Sequence, residues 1–102
     1  MAKLIALYKK PADTEKFDAY YRDTHIPLAK TIPGLTNYEI STSSIATPDG
    51  EAPYYLIAML SFESLSAINE GLQSPQGQAT AADLANFADA GVDLIFFDDK
   101  KV

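Results

Sequence analysis

The chain has 102 residues and 8 basic against 14 acidic side chains, a net charge of −6. That is room for one domain with one core, and folding at this size buries roughly 60 to 70% of the unfolded surface. There is no basic stripe for nucleic acid, since Lys9-Lys10 and Lys100-Lys101 read as solvated strand ends, and the absence of cysteine excludes disulfides, thiolate nucleophiles, iron–sulfur clusters and cysteine-ligated zinc.

The start, MAKLIALYKKPAD, holds an apolar run of only five residues, Leu4 to Tyr8. This is too short for a signal-peptide core or a membrane span, so a cytoplasmic protein with no membrane partner is expected. The run has no polar alternation and reads as a first strand covered on both faces. Asp13 or Thr14 caps the helix that follows, and the bulky residues at 17, 20, 21, 24, 25 and 28 repeat with helical spacing. Arg22 and Asp23 lie off that stripe and read as a solvated face. Pro27 lacks an N–H and disfavours helical angles at Ile26, so a bend or step is expected there, and Pro33-Gly34 ends the segment.

Leu35 to Ile40 reads as a second strand. STSSIATPDGEAP is a polar loop with Asp49-Gly50 at its tip. Tyr54 to Phe62, YYLIAMLSF, is apolar and rich in β-formers, as a central strand should be. Ser64 caps a short helix that turns Leu65, Ile68 and Leu72 inward. Ser74-Pro75 opens another with Leu84 and Phe87 inward, Gly91 stops it, and Val92 to Phe97 is the last strand, flanked by Asp93 and Asp98 as solvated strand ends.

The order βαββαβ predicts an α+β, ferredoxin-like fold over 1–102, a four-stranded antiparallel sheet with helices on one side. Both alternate sets of the strands are apolar: Leu4, Ala6 and Tyr8 against Ile5 and Leu7, and Tyr55, Ile57 and Met59 against Leu56, Ala58 and Leu60. No further helix is at hand to cover the second face. A second copy of the same sheet does so most simply, which predicts a homodimer.

His25 is the only histidine. It falls about 80° around an ideal helix from Phe17, at the edge of the apolar stripe and near Tyr21. Two roles fit it: an acid or base titrating near neutrality, or a structural histidine tying down carbonyls freed by Pro27. Tyr20 and Tyr21 divide between aromatic core and pocket hydroxyl, and a strand tyrosine among Tyr8, Tyr38, Tyr54 and Tyr55 lines a pocket if it faces the helices. One histidine without cysteine makes no zinc or facial-triad site, and no nucleotide-binding glycine motif is present. No metal is expected. A lone histidine suffices for haem, but a single arginine on an acidic surface argues against it.

The segments KPADTEKFDAYYRDTHIPLAKTIPGL, PYYLIAMLSFESLSAI and LQSPQGQATAADLANFAD, in this order and spacing, resemble the EthD (ethyl tert-butyl ether degradation) family of the dimeric α/β-barrel superfamily. Its most specific features here are Tyr20-Tyr21, His25-x-Pro27-Leu28 and Pro33-Gly34-Leu35, followed by Ser74-Pro75-x-Gly77-Gln78. The resemblance implies two face-packed sheets forming a barrel across the dimer, with a pocket between sheet and helices in each protomer. Relatives include monooxygenases, lactone isomerases, cyclases and haem proteins. Met59 stands where the family often has an acidic or other polar residue, which argues against a histidine–carboxylate pair built on that strand and leaves an aspartate or glutamate from elsewhere as the alternative. The expectation is a cofactor-independent enzyme, monooxygenase-like, acting on a small apolar or aromatic molecule. His25 and Tyr21 are the catalytic candidates, and Tyr8, Phe17, Tyr20, Leu28 and Tyr55 the substrate-binding ones. The alternatives are a binding protein for a pathway intermediate, a lactone isomerase or cyclase, and a dimerisation module.

Overall fold

The computed structural model describes residues 1–102. Strand β1 (Ala2–Lys9) leads into helix α1 (Thr14–Tyr20), whose N-cap Asp13 accepts from the Lys16 N–H. A wide π-type turn, Tyr21–His25, joins it to the short α2 (Ile26–Ala29). After β2 (Asn37–Ile40), a two-residue pair β3 (Ala46–Thr47) and β4 (Gly50–Glu51), and the long β5 (Tyr54–Phe62), helices α3 (Leu65–Gln73) and α4 (Pro75–Phe87) precede β6 (Val92–Asp98). The four long strands form one antiparallel sheet in the order β2-β5-β1-β6. This is the α+β, ferredoxin-like arrangement that the element order predicts.

The strands alternate as two-sided strands must. Leu4, Ala6 and Tyr8 pair in register with Leu60, Ala58 and Leu56, and all six are buried beneath the helices. The opposite set, Ile5, Leu7, Ile57 and Met59, is only half-buried, and at the edge strand β6 both sets are open: Leu94 and Phe96 on the helix side, Ile95 and Phe97 on the other. Phe17, Tyr21, Ile32, Ile68 and Phe87 close the core from above. Burying a large apolar side chain stabilises by about 1.5–3 kcal/mol, so this layer carries most of the stability.

At Pro27 the expected step is present, but its form differs. Ile26 keeps right-handed helical angles (φ −58°, ψ −50°), and its N–H donates to the Tyr21 carbonyl, five residues back. The wider turn accommodates the missing donor of Pro27 by a change of hydrogen-bond register, so the backbone never leaves the helical region. In the 41–53 loop the tip is Pro48-Asp49, because Gly50 (φ +134°) already pairs with Thr47. The Thr47 hydroxyl fixes that turn by donating to the Gly50 carbonyl and accepting from the Asp49 N–H.

Ser74 joins the last two helices. Its hydroxyl donates to the Gly71 carbonyl, ending α3, and accepts from the Gly77 N–H, starting α4. The two helices meet so closely that a Cβ on Gly77 would lie 2.0 Å from the Gly71 carbonyl oxygen. Gly77→Ala is therefore expected to lower stability by roughly 1–3 kcal/mol or more, as overpacking against a fixed backbone does. The urea midpoint reads this directly, and a midpoint equal to wild type would show that the crossing yields at little cost.

Candidate active site

The inward face of α4 carries Thr80, Asp83 and Phe87, at helical spacing and all buried. Asp83, the one acid on that face, points at the segment around the wide turn. There the Tyr20 hydroxyl donates to Asp83 Oδ1 at 2.6 Å, His25 Nδ1 lies 2.9 Å from Oδ2, and Asn86 Nδ2 donates to Oδ1 at 3.0 Å. The carboxylate thus accepts from three side chains, two of them on the preceding helical segment. His25 is 3% exposed, its ring stacked on Tyr21 at 5.5 Å and held at 4.6 Å from Phe87.

The protonation states follow from this environment. Burial pushes the His25 pKa below its ordinary 6.5, and the carboxylate opposite only partly offsets it. Burial raises the Asp83 pKa, but the bonds from Tyr20, Asn86 and His25 outweigh burial and hold it below the usual 3.8. At neutral pH the pair is therefore a neutral imidazole against an ionised carboxylate. A carboxylate only accepts, so Nδ1 carries the proton and Nε2 presents a lone pair.

A cavity of about 50 Å³ lies between sheet and helices, lined by Leu4, Ala6, Tyr8, His25, Tyr38 and Leu94 together with further small and apolar side chains. No enclosed side-chain polar atom is left unpaired, so His25 Nε2, which has no protein partner, faces this space. Tyr21 and Tyr38 bond hydroxyl to hydroxyl at 2.6 Å along one wall. Burial raises the pKa of Tyr8, Tyr21 and Tyr38, so all three are neutral phenols at physiological pH. A larger, open groove of about 540 Å³ runs beside the β3–β4 hairpin, its walls mixing exposed polar residues such as Lys10, Thr42 and Glu51 with Ile45, Tyr54 and Tyr55, and no histidine reaches it.

Residues 9–91 match the EthD domain. The chain belongs to the EthD family. It is 37% identical over 103 residues to an uncharacterized 11.0 kDa protein of the thcB-thcC intergenic region of Rhodococcus erythropolis, covering 100% of this chain and 98% of the other. An EthD family protein of Bacillus halodurans superposes with a TM-score of 0.89 at 31% identity, covering 98% and 99% of the two chains. SnoaB of Streptomyces nogalater, a cofactor-independent oxygenase, shares the fold at a TM-score of 0.68 and 12% identity, over 99% and 94%.

In this EthD chain the residues singled out from sequence have different places. His25 and Tyr8 line the cavity, and Tyr21 stands one layer behind it, reaching it only through Tyr38. Phe17 does not line it: the ring is 4% exposed within an aromatic cluster with Tyr8, Tyr21 and Phe87. Tyr20 does not either, because Asp83 holds its hydroxyl. Leu28 is replaced at the wall by Ala29, since the stripe of the wide turn continues 21, 25, 29. Tyr55 packs its ring on Phe17 at the rim and sends its hydroxyl to Asp18, 2.9 Å from each carboxylate oxygen, beside the open groove. The carbonyl-tying role for His25 is not seen, its one protein bond being to Asp83. Asp83 itself was not singled out, although an acid four residues before inward Phe87 sits on the buried stripe and was the available signal.

His25 gives stability a pH dependence of known sign. A folded-state pKa below the unfolded one means the unfolded chain takes up the proton first, so stability is complete above pH 6.5 and is lost as pH falls through the folded value. With one histidine in the chain, no other side chain has an ordinary pKa in that range. The urea midpoint should therefore decline from pH 7.5 to 5.5 in wild type and stay level in His25→Gln. A wild-type midpoint that rises on acidification would mean the imidazole is charged in the fold.

Proposed function

We propose that this EthD protein is a small-molecule enzyme in which His25 is the general base, oriented by Asp83, for a largely apolar substrate bound between sheet and helices. The observation that supports this is the buried His25–Asp83 pair with its free nitrogen turned into an apolar cavity. A general base requires an unprotonated nitrogen on the side from which a substrate enters. Removing a proton from an activated methylene leaves a carbanion able to reduce dioxygen directly. The balanced outcome is CH₂ + O₂ giving C=O + H₂O, with the second oxygen atom leaving as water. This chemistry asks for no metal or organic cofactor, and the fold shared with SnoaB, itself a cofactor-independent oxygenase, is in keeping with it.

A homodimer belongs to the same proposal. The half-buried Ile5, Leu7, Ile57 and Met59 and the exposed Ile95 and Phe97 make one apolar patch bordered by Glu39 and Asp93, and its cation is paired in place, Lys3 Nζ lying 3.0 Å from Ser61 Oγ and 3.5 Å from Asp99. No helix is long and apolar enough to cross a membrane. A second copy of the sheet is the natural cover for such a face. Sedimentation at micromolar concentration should give twice the 11.1 kDa chain mass, and a compact monomer would remove the barrel from the proposal.

The catalytic reading is tested by oxygen uptake and product mass with small ketones and phenols. Consumption should fall about 10²- to 10⁴-fold in His25→Ala, the usual range for loss of a general base. In wild type the rate should rise with pH along a limb whose midpoint lies below 6.5, because only the neutral imidazole accepts a proton. Ligand retained in native mass spectrometry without any turnover would instead favour a binding protein.

A further inference from the structure

Besides His25 Nε2, two polar groups on the cavity wall are without a protein partner for one of their functions. Tyr8 is 2% exposed, yet its hydroxyl makes no side-chain hydrogen bond, and because no enclosed polar atom is unpaired, that oxygen meets the cavity. Tyr38 is the second. Its hydroxyl bonds that of Tyr21 at 2.6 Å, and because Tyr21 is 3% exposed and has no other acceptor for its proton, the arrangement that satisfies both phenols has Tyr21 donating. The Tyr38 proton is thereby left free for the cavity, and a phenol that already accepts a bond is a better donor. The remaining hydroxyl on the wall, Thr80, is engaged with the Gln76 carbonyl at 2.8 Å.

The inventory is two donors and one acceptor in an otherwise apolar space. His25, Tyr8 and Tyr38 line one cavity of about 50 Å³, small enough that a single ligand head reaches all three. Resting on the reading of His25 as the base, we infer that the substrate is an enolisable carbonyl compound, its oxygen held by Tyr8 and Tyr38 and its α-carbon turned to His25. The C–H bond breaks and its proton goes to Nε2. The electron pair forms the C=C bond, and the carbonyl π pair moves to oxygen, where two neutral phenols hold the developing charge. Asp83 holds the resulting imidazolium. The enolate so formed is the carbanion that meets dioxygen, and where it does not, return of a proton to carbon regenerates the neutral imidazole.

Size sets the binding mode. About 50 Å³ is a third of the ~150 Å³ that admits a benzene ring, so only the reacting head is enclosed. The rest of the molecule leaves past Leu94, a wall residue that is itself 45% exposed.

Two carbon acids separate the roles. Exchange of the central protons of 2,4-pentanedione and of malononitrile for deuterium is followed by proton NMR against the buffer rate. The dione has a carbonyl oxygen to hold and malononitrile has none. Wild type should accelerate both, and His25→Ala should lose both accelerations. Tyr8→Phe and Tyr38→Phe should each lower the dione-to-malononitrile rate ratio about tenfold or more, the worth of one hydrogen bond to a developing charge. Both keep the ring and its packing, and each is an independent arm should the other fold poorly. An unchanged ratio in both variants, with His25 still required, overturns the oxygen-holding role and leaves the base in place. Acceleration of malononitrile alone overturns the carbonyl class. Acceleration of neither overturns the base reading and this inference together.

Discussion

The Asp83 carboxylate is the constraint on which the site depends. A buried charge is costly unless fully paired, and here three donors converge on it: Tyr20 from α1, His25 from the wide turn and Asn86 from its own helix. The same contacts determine the state of the imidazole. Its Nδ1 must donate, so Nε2 must face the cavity unprotonated, and the ring is held between Tyr21 and Phe87. The carboxylate that joins α4 to the first helical segment also fixes the orientation of the His25 ring.

That carboxylate is placed by packing some distance away. Gly77 lets α4 meet the Gly71–Leu72 backbone of α3 directly, while Gly71 makes room on its other side for Ile32, Pro33 and Phe62, with Ser74 bonded to both sides of the junction. Any residue with a Cβ at 77 moves α4 outward, and Asp83 lies on the same helix. On the opposite side, the wide turn before Pro27 sets the stripe Tyr21, His25, Ala29 that faces the sheet. A π-type turn shifts hydrogen-bond register by one residue and so changes which side chains are directed inward; turns of this kind recur at functional sites.

The sheet divides the molecule into two environments. Its helix side carries the aromatic cluster and the cavity. Its other side presents Ile5, Leu7, Ile57 and Met59 half-buried and Ile95 and Phe97 exposed. Strand β6 belongs to both, and Leu94 and Phe96 leave the cavity side less covered at this edge than at β1.

The sequence by itself determined the order of the elements and the two-sided character of the strands, because both are written in local periodicity and in caps such as Asp13, Ser64 and Ser74. It also marked the family motif that contains His25. It did not show Asp83 as the partner of His25, although the residue stood on a visible stripe: a pair separated by 58 positions has no local signature, and only the crossing of α4 over the wide turn brings it together. The assignment of tyrosines was hidden for the same reason. Tyr8 and Tyr38 reach the cavity while Tyr20, Tyr21 and Tyr55 turn to Asp83, Tyr38 and Asp18, and strand parity cannot say which face a sheet will cover. Local pattern decides what a segment is. Which groups meet, and with which protons, is decided by three-dimensional packing, where a buried polar atom must find its partner wherever in the chain that partner lies.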